Sequence, residues 1–157
     1  MLIVKRVARG AAVMFAVVAI AGCVRVSDAS PVELSVVGGK LALAFCMNQN
    51  LRALEVTQRQ SGASPEDERV IWSGSGSVDL AVGDVIVLGD DVDGMSTTSL
   101  GEDVYTGAGS TIFISARYGE SGSYDPSIVV GDSGLVEGEW LASSGARFDE
   151  PCASSAR

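Results

Sequence analysis

A chain of 157 residues with 11 basic and 20 acidic side chains has room for one domain and carries a net charge of −9. That balance argues against nucleic acid, whose binders cluster Lys and Arg against phosphate, and against electrostatic docking on anionic lipid, which needs basic patches. Histidine is absent, which removes Ser-His-Asp and Cys-His catalysis, His proton shuttles and His-ligated zinc together.

The charge is unevenly placed. Lys5, Arg6 and Arg9 lie in the first nine residues, and no acid occurs before Asp28. Gly10 to Val24 is uncharged. As a helix these fifteen residues reach about 22 Å, short of the ~30 Å hydrocarbon core. The run is poor as a permanent span and right for a secretory h-region. Residues 1–22 are therefore expected to be a removable signal peptide.

The run ends in Ile20-Ala21-Gly22-Cys23, which resembles the lipobox of bacterial lipoproteins. In that family an aliphatic residue stands three places before an obligatory cysteine, with small residues between. Ile20 takes the place where leucine is commonest; Ala21, Gly22 and Cys23 fit. The resemblance implies a diacylglyceryl group on the Cys23 sulfur and cleavage just before it. The alternatives are an ordinary signal peptide with a chance cysteine, or an uncleaved N-terminal anchor. A single acyl chain holds marginally at ~0.8 kcal/mol per buried methylene, whereas dual acylation anchors stably.

Without its first 22 residues the chain has eight bases against 20 acids, a balance of −12, which serves solubility. Residues 23–31 are expected to form the lipidated N-terminus and a short tether. Val24 to Pro31 spans at most roughly 27 Å when extended. The folded domain, residues 32–157, would then sit close to the headgroups, on the extracytoplasmic face of the cell membrane. In lipobox, size and composition the chain is similar to small uncharacterised envelope lipoproteins of high-GC Gram-positive bacteria, a resemblance that implies no activity.

With Cys23 set aside, Cys46 and Cys152 remain, an even pair in an oxidising compartment. A bridge between them would enclose 105 residues and nominally contribute ~4.7 kcal/mol through loop entropy. The alternative is two free thiols.

No segment keeps a 3.6-residue apolar period. "SPED", Ser64 to Asp67, reads as a turn or one helical turn, with Ser at N-cap and Pro at N1. The rest alternates. In "KLALAFC", Leu41, Leu43 and Phe45 oppose Ala42, Ala44 and Cys46. In "RALEVTQRQ", Leu54 and Val56 oppose Glu55, Thr57 and Arg59. "RVIW" is followed by "SVDLAV", with Val78, Leu80 and Val82 on one face, and then by "VIVL". "STIFISARY" sets Ile112, Ile114 and Ala116 against Phe113, Ser115 and Arg117. "SIVV" and "LVEGEWLA" complete the set, Val136 and Trp140 sharing a face. Seven to nine short strands with turn signals between them predict an all-β, antiparallel sandwich, immunoglobulin-like or similar. Because Cys152 follows the last plausible strand, the bridge is not the usual inter-sheet one.

Gly131-Asp132-Ser133-Gly134 resembles the nucleophile segment of chymotrypsin-like proteases, but Leu135 follows and no histidine exists to activate Ser133. The plain reading is a turn. Asp90, Asp91 and Asp93 precede Gly94. They are a weak Ca²⁺ candidate, with Glu102 or Asp103 as further oxygen donors. The spacing is not that of an EF-hand, and the other reading is a solvated acidic turn. Trp72 and Trp140 sit in apolar runs and are expected in the core. Tyr105, Tyr118 and Tyr124 lie in Gly/Ser/Asp-rich segments, where exposed rings in recognition loops are expected.

No cofactor is implied. The reading that follows is a lipid-anchored binding or interaction module of the cell envelope with an envelope partner. The alternative is an accessory subunit without its own ligand, and an enzyme is disfavoured.

Overall fold

The computed structural model describes residues 30–99 and 108–153. They form eleven strands: β1 (Val32–Val37), β2 (Lys40–Phe45), β3 (Gln49–Gln60), β4 (Arg69–Leu80), β5 (Val85–Val87), β6 (Met95–Ser99), β7 (Ser110–Tyr118), β8 (Gly122–Tyr124), β9 (Ser127–Val130), β10 (Trp140–Leu141) and β11 (Arg147–Phe148). Two antiparallel sheets pack as a sandwich, as the alternation predicts. Sheet A has the order β11-β10-β1-β2-β5. Sheet B has the order β6-β4-β3-β7-β8, with β9 also pairing β7. Among the described residues no helix is long and apolar enough to cross a membrane.

The core follows directly from the period of two. Leu34, Leu41, Leu43 and Phe45 from sheet A meet Leu54, Val56, Ile112, Ile114 and Ala116 from sheet B, all buried. A fully buried side chain of this size contributes about 1.5–3 kcal/mol against exposure. Trp72 joins this core as expected. A Cβ on Gly74 would lie 2.7 Å from the Trp72 ring, so glycine two places on clears the space that the indole fills.

The strand count exceeds the expected seven to nine because some strands carry no apolar alternation to mark them. Three are two to five residues long and carry Ser, Thr, Gly or a lone aromatic, "MSTTS", "GSY" and "RF". In addition, β1, "VELSVV", is not among the expected runs, and "WL" is the one stretch of the expected "LVEGEWLA" that forms a strand. Conversely, "RVIW" and the start of "SVDLAV" belong to one twelve-residue strand, β4, that runs straight through Gly74 and Gly76. A register shift opposite Val56 and Thr57 lets Ile71 and Trp72, neighbours in sequence, both be buried.

Two face assignments need correction. Val82 does not continue the face of Val78 and Leu80. The strand ends at Leu80, and the chain turns at Gly83 with φ +91°, which leaves Val82 exposed. Val136 and Trp140 do not share a strand face. Val136 lies in the irregular connection before β10 and is exposed, whereas Trp140 is buried. "SPED" does form a single 3-10 turn, with Ser64 and Asp67 making a reciprocal capping box.

Candidate functional site

The two outer faces of the sandwich differ. On sheet A the outward positions of β1 and β2 are Glu33, Ser35, Ala42 and Ala44, and all four are fully buried. Ala42 and Ala44 form a second apolar cluster with Trp140 and Cys152, against which Cys46 and Val87 pack. Alanine is small enough to leave room for the indole and the bridge above the sheet.

The Cys46–Cys152 disulfide is present, with Cα atoms 5.1 Å apart. It ties the C-terminal segment across this face. As expected, it does not join the two sheets. The Cys152 N–H donates to a Glu33 carboxylate oxygen at 2.7 Å, so that backbone donor is satisfied within the second cluster. Cys152 holds φ +61°, the one non-glycine residue in the left-handed region among those described; disulfide and hydrogen bond together fix it there. Glu33, Cys46 and Cys152 are also the one group of three metal-capable side chains among the described residues. With both sulfurs in the bridge, neither is a thiolate ligand.

The outer face of sheet B is open and polar. Register aligns Thr98, Ser73, Glu55 and Ser115 across β6, β4, β3 and β7. Two residues further along, it aligns Ser96, Ser75, Ala53, Arg117 and Ser123, the last on β8. All of these but Ser123 line a trough of about 420 Å³. A second hollow of about 320 Å³ continues from it over Arg117 towards the β7–β8 hairpin. Strand spacing near 4.8 Å and a repeat near 7 Å along each strand make the hydroxyls a regular grid. Neither Glu55 nor Arg117 is ion-paired with a described residue. Beyond Glu55 the same face closes over: Arg59 lies 4.9 Å above the Phe113 ring, and Glu68 accepts from Thr57 and pairs with Arg59.

The acidic loop is arranged differently from a cation cage. Asp90, Asp91 and Asp93 line a cleft of about 370 Å³ with Asp79 and Asp84. Their oxygens do not converge as a group of three within ligand distance. Asp90 pairs with Lys40, Asp84 accepts from the Ala81 N–H, and Asp79 accepts from Asn50. Glu102, Asp103 and Tyr105 lie outside the described residues, as do Cys23 and the signal segment.

Two tyrosines expected in exposed recognition loops pack against the fold instead. Tyr118 and Tyr124 pair ring against ring at 5.7 Å. A Cβ on Gly122 would lie 2.3 Å from the Tyr118 ring, so this glycine gives the ring its seat. Tyr124 packs against the main core, and its hydroxyl accepts from the Gln49 side chain at 3.1 Å. Burial pushes the Tyr124 phenol up to about 12, against the opposing pull of the Gln49 bond.

Ser133 serves structure. Its hydroxyl and the Gly134 carbonyl both accept from Arg147, at 2.9 and 2.6 Å, and Arg147 also pairs with Glu139. The Gly-Asp-Ser-Gly segment is thus a turn clamped onto β11.

The open face escaped the sequence reading because its members are Ser, Thr, Ala, one Glu and one Arg, scattered over five strands. The one usable signal is that the outward positions of β3 and β7 lack apolar residues at Glu55, Ser115 and Arg117. No family model, no curated protein and no solved structure matches the chain.

Proposed function

We propose that the chain is a lipid-anchored, extracytoplasmic binding module of a bacterial cell envelope that engages an envelope partner through the outer face of sheet B. One observation carries the reading: the sandwich buries one outer face under its own C-terminal segment and leaves the other open, polar and troughed. An outer face that served only solubility would have no reason to carry small side chains in register; long charged ones cover a sheet better. The partner contact is hydrogen-bonded rather than greasy, because the trough is floored by Ser, Thr and Ala and framed by Glu55 and Arg117. Anchoring rests on the lipobox at Cys23, and export on the charged start and short apolar run before it.

The same polarity also favours the second reading, an accessory subunit of an envelope complex. A broad hydroxyl face suits a protein neighbour as well as a ligand, and no group on it is set up for acid–base or nucleophilic chemistry.

Both parts are testable. Cys23→Ser, expressed in a host that processes lipoproteins, should lose its acyl label and leave the membrane fraction. Retention at the wild-type level would end the lipoprotein reading. Photo-crosslinkers placed at Thr98 and Ser115 in native membranes should capture a discrete partner, and one at Glu66 on the 3-10 turn should not. Equal capture from all three sites would remove sheet B as the binding face.

A further inference from the structure

The chain enters the sandwich at one end, and that end carries its own apolar surface. The Pro31 carbonyl accepts from the Cys46 N–H at 2.9 Å, and the Phe45 carbonyl accepts from Gly83 at 2.9 Å. The β2–β3 connection, the β4–β5 turn and the start of the domain are therefore neighbours. The Val82 N–H, donating to the Asn48 side chain at 3.0 Å, adds a further tie. On these adjoining segments Met47, Val82 and Val85 are 38, 54 and 39% exposed. Val82 tips the turn and Met47 tips the connection. Val37, Val129 and Val136, toward the other end, are comparably exposed, so the short link to Cys23, not apolar exposure alone, distinguishes the two ends.

We propose that this end is a membrane-facing surface, with Met47, Val82 and Val85 in contact with the bilayer interface. The proposal rests on the lipid-anchor reading. If Cys23 is acylated, six residues separate it from Ser30, and even fully extended they reach only about 20 Å. So short a link holds the Pro31 end next to the lipid. The occupant that meets this end first is the bilayer, whatever else the domain binds. Nearby charges are mainly acidic: Asp84 and Asp79 keep their charge while accepting from Ala81 and Asn50, and Glu120 lines the hollow beside the β7–β8 hairpin together with Arg52 and Arg117. The contact is therefore apolar, made with glycerol and upper acyl groups, and not an attraction to anionic headgroups. The opposite end, with the Gly38–Gly39 turn, the 3-10 turn and the clamped Ser133 turn, then points away from the membrane. The trough on sheet B stands along the side, open to a partner.

Trp72 and Trp140, the chain's two tryptophans, are both buried, so their emission is shielded from a quencher in the lipid and forms a constant background. Full-length Val82→Trp is reconstituted in phosphatidylcholine vesicles whose lipid is brominated near the headgroup end of the acyl chain. Val129→Trp, at an exposed site on β9 near the far end, is the matched control. Met47→Trp is a second probe should Val82→Trp fold poorly. The expected result is that Val82→Trp or Met47→Trp loses most of its added emission and Val129→Trp loses none. Equal quenching at both ends, or none at either while the protein floats with the vesicles, overturns the orientation. Failure to float, with no acyl label on Cys23, overturns the anchor reading itself, and the orientation falls with it.

Discussion

Sheets A and B use the same alternation inward and opposite chemistry outward. Outward from sheet A stand Ala42, Ala44, Ser35 and Glu33, all fully buried under Trp140 and the disulfide-tied C-terminal segment. Outward from sheet B stand Ser73, Ser75, Ser115, Thr98, Glu55 and Arg117, with none of the described segments laid over them. Small side chains occur on both faces for different reasons. On sheet A they make room for something that belongs to the chain. On sheet B they leave an open trough, which in the proposed function receives a partner.

The sharpest way to break the contrast is to release the cover of sheet A. Replacing both Cys46 and Cys152 by Ser should cost roughly 2–5 kcal/mol in chemical unfolding, the range for a native bridge closing a long loop. Reductant should destabilise the wild type to the same level and leave the double variant unmoved. A loss under about 1 kcal/mol would mean that Trp140 and the Glu33–Cys152 hydrogen bond hold the segment without the bridge.

Next in size is an overpacking of the covered face. Ala44→Leu places three extra carbons under Trp140 and beside the disulfide, where no space remains. It should cost about 1–3 kcal/mol, read as a lowered denaturant midpoint with an unchanged slope. A neutral result would show that the cover is loose and that the two faces differ less than their burial indicates.

A third test concerns the place where sheet B does bury a polar aromatic. Tyr124 has a phenol raised from 10 to about 12 in the fold. Below 10 both folded and unfolded chains keep the proton. Between 10 and about 12 the unfolded chain releases it first, so stability falls as pH rises through that window. Tyr124→Phe should flatten this alkaline decline, measured as denaturant midpoint against pH. An unchanged slope would assign the decline to other groups.

What the sequence discloses follows the same divide. The inward faces are legible because burial selects apolar residues at every second position, and Leu41, Leu43, Phe45, Leu54, Val56, Ile112 and Ile114 fall where the period puts them. The bridge is legible from cysteine arithmetic together with the expected export of the chain. The cover over sheet A is not. Ala42 and Ala44 look like ordinary strand alanines until Trp140, a hundred residues later, is laid on them. Tyr118 and Tyr124 misled because Gly, Ser and Asp around them signal loops, whereas Gly122 is there to seat a ring. The open trough is the least legible, since its hydroxyls come from five strands and meet only through cross-strand register.

The smallest expected effect on stability is also the most informative about function. Ala53→Leu is the counterpart of Ala44→Leu: the same change, at an outward alanine, on the other sheet. Ala53 pairs with Ser75 on one side and Arg117 on the other, and it floors the junction of both hollows. With solvent above it, the added isobutyl group meets no packed neighbour, and stability should stay within about 0.5 kcal/mol of wild type. The same group would stand in the trough, between Glu55 and Arg117. Capture of a partner by the Thr98 and Ser115 crosslinkers should then drop several-fold while the fold is untouched. Loss of stability without loss of capture would reverse the assignment of the two faces, making sheet B the packed surface and moving the search for the contact elsewhere on the domain.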